Sequence, residues 1–127
     1  MEPLRAHNAC IRNCIGVRRQ RRIEGVLAPG NHVLLVDDLI TTGLSLEKAA
    51  KAITAEGGIV IDSVVLIDRQ EGGREKLEKH GIKLHALLNI SEIARTLSEL
   101  GTIDEQQMKT ILKQIKQKQK KGLKLAA

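Results

Sequence analysis

A chain of 127 residues with ordinary hydrophobic content is long enough for one small domain with a modest core. No apolar run approaches membrane-spanning length, no signal-peptide apolar region opens the chain, and two cysteines, Cys10 and Cys14, do not make a disulfide scaffold. A membrane span and a secreted disulfide framework are thereby set aside, and a cytoplasmic protein is expected. Phe, Tyr and Trp are all absent, so the core must be assembled from Leu, Ile, Val and Ala without the large contact areas of aromatic rings.

The net charge of +6 is unevenly spread. Residues 1–25 carry six Arg against two Glu, residues 26–108 eight basic against thirteen acidic groups, and residues 109–127 seven Lys with no acid. We therefore divide the chain into a basic N-terminal segment (1–25), an acidic α/β core (26–108) and a basic C-terminal helix and tail (109–127). The basic ends read first as solvated termini; a non-specific contact with nucleic acid is the sharper alternative.

In chain order, residues 1–25 show no clear period. Arg18-Arg19-Gln20-Arg21-Arg22 is a dense cationic patch, open to reading as a solvated loop or a phosphate contact. His7, Cys10 and Cys14 fall short of the four ligands of a usual zinc site, so no protein-bound metal is expected. Ala28-Pro29-Gly30-Asn31 is a turn. Val33-Leu34-Leu35-Val36 then begins a buried parallel strand. Leu46, Ala49, Ala50 and Ile53 recur at helical spacing in a helix reaching Glu56, which Gly57-Gly58 ends. Ile59 to Ile67 reads as a second strand, Asp68 to Gly73 as a polar loop, and Arg74 to His80 as a short helix closed by Gly81. Ile82 to Leu88 is a third strand. Asn89 or Ser91 caps a helix to Leu100, and Thr102-x-x-Glu105 suggests a capping box for a last helix running past Gln117. His80 falls at a helix C-terminus, where a cation is favoured; His85 lies in a strand and reads as structural. Strand and helix alternate without an internal repeat, which argues for an α/β fold with parallel strands.

The chemistry concentrates where the first strand meets its helix, in Asp37-Asp38-Leu39-Ile40-Thr41-Thr42-Gly43-Leu44-Ser45. Amides at a helix N-terminus are unpaired donors, and the helix dipole adds positive potential there. Gly43 leaves room for an anion and tolerates a positive φ. Thr41, Thr42 and Ser45 add hydroxyl donors. Asp37 and Asp38 repel phosphate but suit vicinal hydroxyls or a hydrated divalent cation. Together these groups describe a site for a sugar phosphate. Ligands in open α/β sheets bind beyond the carboxyl ends of strands, so the loop at Asp68 shares this rim. Arg69 there suits a carboxylate, while spacing alone favours a plain Asp68–Arg69 ion pair.

The run from Val33 to Ser45 resembles the phosphoribosyl-pyrophosphate (PRPP) motif of the type I phosphoribosyltransferases. Ile67-Asp68-Arg69-Gln70-Glu71-Gly72-Gly73, Lys76-Leu77-x-x-His80-Gly81 and Leu88-x-Ile90-Ser91-Glu92-Ile93 look like orotate phosphoribosyltransferase, as do Arg21-Arg22-Ile23-Glu24-Gly25 and Pro29-Gly30. The resemblance covers roughly residues 21–117 and implies transfer of phosphoribose from PRPP to orotate, giving orotidine 5′-monophosphate and pyrophosphate. It implies that the whole segment Asp37 to Ser45 holds PRPP, that Thr41 and Arg69 contact orotate, that Mg²⁺ arrives on PRPP rather than on protein ligands, and that the protein is a homodimer. It also implies departures. The family's flexible loop falls, without gaps, on Ile11 to Arg18. Arg12 there keeps a cation, whereas Ile15 and Val17 replace a Lys and a His, so no catalytic residue is assigned. The family's earlier strands and N-terminal hood have no counterpart, which predicts a partial fold with an open sheet edge and half a crevice. The alternative reading is a truncated, non-catalytic PRPP- or nucleotide-binding module with a regulatory role, touching nucleic acid through its basic ends.

Overall fold

The computed structural model describes residues 26–125. The expectations that fall on residues 1–25, including the Arg18–Arg22 patch, the His7/Cys10/Cys14 set and the flexible-loop register at Ile11 to Arg18, lie outside the described residues. Three strands, β1 (His32–Ile40), β2 (Ile59–Asp68) and β3 (Lys83–Asn89), form a parallel sheet in the order β1-β2-β3. Four helices, α1 (Leu44–Ala55), α2 (Gly73–Lys79), α3 (Ile90–Glu99) and α4 (Glu105–Leu125), complete the architecture. This is the α/β sheet flanked by helices expected from the alternation of elements.

Leu35, Ile40, Val65 and Leu84 of the sheet bury against Leu46, Ala50 and Ile53 of α1 and Leu77 of α2. Period-2 alternation places Leu35, Val65 and Leu84 on one face, Ile40 joins the core from the end of β1 out of that alternation, and helical spacing gathers the helix residues into one stripe. The alternation slips near the start of β2. Between His32 and Leu34 the first strand advances two residues while its partner advances from Ile59 to Asp62, so β2 carries one extra residue. Val60 therefore packs on the core before the slip and Ser63 and Val65 after it. The opposite face of the sheet stays open: Leu34, Val36, Leu66 and Leu87 are 55%, 72%, 52% and 70% exposed. His85 lies 2.7 Å from Asp62 and is likewise exposed. Among the described strands both β1 and β3 are edges, as a partial sheet requires.

Strand ends and caps carry two corrections. First, β1 does not stop before the acids: Asp37 and Asp38 are its penultimate turn of pleat, because Asp37 pairs with Val65 and Ile40 with Asp68 in the ladder. Second, the expected Thr102–Glu105 box is not the cap of α4. Asp104 takes that place, its amide donating to Gln107 Oε1 at 2.9 Å and its carboxylate accepting the Gln107 amide at 2.7 Å. A carboxylate one residue before the helix outcompetes the more distant hydroxyl as acceptor. For α3 the cap is Asn89, whose amide donates to Glu92 Oε2 at 3.0 Å. α4 is continuous from residue 105, so the change of composition at 108 falls inside it, and it packs along α3.

Candidate functional site

The ladder sets Ile40 opposite Asp68 and Asp68 opposite Asn89. Three strands thus end level with one another, and the segments after them emerge on one rim. After β1 comes a three-residue turn, Thr41 to Gly43, then α1. Gly43 caps the helix in the left-handed region, with φ 77°, and its carbonyl accepts the Glu47 amide at 2.9 Å. The amides of Thr42, Gly43, Leu44 and Ser45 donate to no other described residue, as the first turn of a helix leaves them. Thr42 and Ser45 are exposed, Thr41 is half-buried, and the turn is a small hollow of about 60 Å³ lined by Asp37 and by residues 39–46. Ile40 contributes backbone only, since its side chain belongs to the core.

The acid pair divides its labour. Asp37 lines the hollow and Asp38 does not. Asp38 is exposed, and its amide donates to Asp37 Oδ1 at 2.8 Å. Burial pushes the Asp37 carboxyl above the usual range; the Asp38 amide opposes this and the Asp38 carboxylate adds to it. Neither acid forms an ion pair with another described residue. A pair of adjacent carboxylates left without a cation, beside a cluster of free amides, is a divided electrostatic surface: acceptors on one side, donors on the other.

The loop after β2 is tied to this turn through the backbone. The Arg69 amide donates to the Ile40 carbonyl at 3.0 Å, and the Gly73 amide to the Thr41 carbonyl at 3.0 Å. Two glycines make the approach feasible. A Cβ on Gly43 would stand 3.0 Å from the Gly73 carbonyl oxygen, and a Cβ on Gly73 would stand 2.7 Å from the Ile40 side chain and from the Thr41 carbonyl oxygen. The sequence signal for this contact was the Gly72-Gly73 pair, whose packing role only the fold reveals.

Inside this second loop the charges satisfy one another. Asp68, 2% exposed, accepts the Gln70 amide on Oδ1 at 2.7 Å and faces Arg74 Nε at 3.3 Å from Oδ2. Gln70 sits at φ 56°, an uncommon conformation for a residue with a Cβ, held by that bond and by its Oε1 accepting the Ser91 amide at 3.1 Å. The Asp68–Arg69 pair that spacing alone favours is not the one formed. Arg69 Nη2 lies 3.1 Å from Glu71, and its side chain lines a separate cleft of about 240 Å³ between α3 and α4. The structure therefore brings Thr41 and the Arg69 backbone together and turns the Arg69 side chain aside. Composition also gave no hint of Glu47. This half-buried acid in the first turn of α1 gathers Lys51 at 2.6 Å, Lys76 at 3.3 Å and His80 at 3.3 Å. The Lys51 hydrogen bond, helped by Lys76, holds its carboxyl down to about 2. Among the described residues no cluster of three His, Cys, Asp or Glu offers a metal cage, and no helix is long and apolar enough to cross a membrane.

Residues 24–96 match the model of the phosphoribosyl transferase domain. The chain belongs to the phosphoribosyl transferase domain family. An orotate phosphoribosyltransferase of Saccharolobus solfataricus is 51% identical over 83 residues, covering 65% of this chain and 43% of that protein. Among solved structures, the UMP synthase of Leishmania donovani superposes with a TM-score of 0.68 at 28% identity, over 79% of this chain and 23% of that one. A Mycobacterium tuberculosis orotate phosphoribosyltransferase in complex with 5-phospho-α-D-ribosyl 1-diphosphate superposes with a TM-score of 0.54 at 33% identity, over 59% of this chain and 45% of that one. This phosphoribosyl transferase domain thus spans less than half the length of these relatives.

Proposed function

We propose that the rim formed by residues 37–45 and 68–73 is the PRPP site of an orotate phosphoribosyltransferase. The observation that carries this reading is the pairing of unneutralised acids with unpaired amides in one turn. A phosphate needs the donors of Thr42 to Ser45, and the ribose hydroxyls need the acceptors of Asp37 and Asp38. Resemblance to orotate phosphoribosyltransferases and to a PRPP-bound neighbour supports both the ligand and the acceptor.

In this reading N1 of orotate forms a bond to C1 of the ribose as the bond from C1 to pyrophosphate breaks; the electron pair of the broken bond leaves with pyrophosphate, and the N1 proton is released to the departing pyrophosphate or to water. Positive charge develops on the sugar in the transition state. Asp37 and Asp38 hold negative charge near it, and the rigid turn fixes the 5-phosphate so that the reacting atoms stay aligned. Thr41 and Arg69 receive the orotate. Two adjacent carboxylates without a cation suit a hydrated divalent ion, but do not by themselves make a cage, which fits Mg²⁺ carried on PRPP oxygens. When bound, that ion supplies neutralisation of the departing pyrophosphate. A cytoplasmic location and a homodimer go with this reading.

Isothermal titration of PRPP with Mg²⁺ into the chain tests it. Asp38→Asn is expected to weaken binding by about tenfold or more, as loss of hydrogen bonds to a charged group does, with the circular dichroism spectrum unchanged. Unaltered affinity would remove the acid pair from the site. Assaying orotidine 5′-monophosphate from orotate and PRPP in parallel separates turnover from binding alone.

A further inference from the structure

The one Arg expected to meet orotate does not point at the turn; it is engaged elsewhere, and its partner is shared. Arg69 Nη2 stands 3.1 Å from Glu71 Oε1, and Lys118 Nζ of α4 stands 2.8 Å from the same oxygen. Glu71 is largely covered, whereas Arg69 and Lys118 are each close to half exposed on their side chains. One turn beyond Lys118, Gly122 presses its backbone on the Glu71–Gly72 segment, and a Cβ at Gly72 would meet the Gly122 Cα at 3.2 Å. The absence of a side chain at both glycines sets α4 against the loop, so Lys118 is delivered to Glu71 by packing as well as by charge. Two cations held on one carboxylate oxygen repel each other, which offsets part of the attraction that each feels.

We infer that Lys118 is a positioning residue for Arg69: by competing for Glu71 it keeps the guanidinium free to leave its resting ion pair and meet the carboxylate of the base. The inference rests on the reading of Arg69 as the orotate contact. With Lys118 in place the three groups carry a net charge of +1, which an anionic base meets favourably. Without Lys118 the Arg69–Glu71 pair is neutral and tighter. The C-terminal basic helix then acts on the site through one lysine rather than as a general cationic surface.

The test uses the full chain and two readouts. The first is titration of orotate and, separately, of PRPP. Lys118→Met is expected to weaken orotate about threefold, the scale of a partly exposed ion pair, and to leave PRPP unchanged; Lys118→Arg is expected to restore the wild-type value. Glu71→Gln is expected to tighten orotate, and in that background Lys118→Met should no longer matter. An effect of Lys118→Met that persists with Glu71→Gln, or a wild-type orotate affinity in Lys118→Met, overturns the inference. The second readout needs no substrate: the Arg69 Nη–Hη resonances should exchange more slowly with solvent in Lys118→Met and faster in Glu71→Gln. Absence of orotate binding to the wild type would defeat the reading of the base site, while the exchange rates still decide the competition for Glu71; equal rates in Lys118→Met and wild type would refute it.

Discussion

The turn after β1 and the loop after β2 leave neighbouring strands at the same level, yet only the second is filled with its own charges. Residues 41–45 offer free amides beside two acids that no described cation neutralises. The acids of residues 68–73 are matched, Asp68 by Arg74 and the Gln70 amide, Glu71 by Arg69 and by Lys118 of α4. The difference is one of electrostatic completion. A loop whose acids are met by cations of the fold serves as a scaffold; a turn whose donors and acceptors are unspent is open to a ligand. The backbone bonds at Ile40 and Thr41 let the scaffold hold the turn in shape.

Removing the scaffold's buried acid should do the most damage. Asp68→Ala deprives the partly exposed Arg74 head group of its counter-ion and the Gln70 amide of its acceptor, and is expected to cost about 2–3 kcal/mol of stability, the upper part of the range for stranding a donor hydrogen-bonded to a buried carboxylate, read by urea unfolding. Gly73→Ala is expected to cost about 1–3 kcal/mol, as overpacking does, since its new methyl group meets both the Ile40 side chain and the Thr41 carbonyl. It should also weaken PRPP binding, because the turn that it displaces is the proposed PRPP site. If Gly73→Ala lowered stability and left PRPP untouched, the two loops would not be coupled in the way the backbone bonds suggest.

Two smaller effects depend on pH. The Glu47 carboxyl is held down to about 2, below its unfolded range, by Lys51 and Lys76. Its contribution to stability is therefore complete above the unfolded value, near the ordinary 4.5, and is lost as the pH falls through about 2. Glu47→Gln should flatten the acid limb of a thermal-melting profile in that window. The Asp37 carboxyl is shifted the opposite way, upward, so it takes up its proton at a higher pH than an ordinary carboxyl. PRPP affinity should thus begin to fall on acidification above the usual carboxylate range, and Asp37→Asn should remove that component from the pH profile.

The sheet was legible because its signal is local and redundant. Val33 to Val36, Ile59 to Ile67 and Ile82 to Leu88 are apolar runs bounded by turns, and each became a parallel strand within a few residues of its expected limits. The turn proposed to hold phosphate was legible as a geometry for a related reason: its donors are main-chain groups, and Thr-Thr-Gly before an amphipathic helix dictates where they lie. Side-chain pairing was not legible. Arg69 stands next to Asp68 in sequence yet pairs with Glu71, because successive strand residues point to opposite faces and Asp68 turns inward to Arg74. The Lys118–Glu71 contact spans 47 positions and depends on the path of α4, which no local pattern encodes. Nor did spacing reveal that Asp104 rather than Thr102 caps that helix; a hydroxyl and a carboxylate two residues apart are both acceptable caps until the chain direction is fixed.

Central to all of this is the assignment of a ribose phosphate to the turn between β1 and α1. An amide correlation spectrum of the full chain, titrated with PRPP and Mg²⁺, addresses it residue by residue. The largest shifts are expected at Thr42, Gly43, Leu44 and Ser45, with smaller ones at Asp37 and Asp38. Saturable PRPP binding that leaves those six amides unmoved would contradict the assignment.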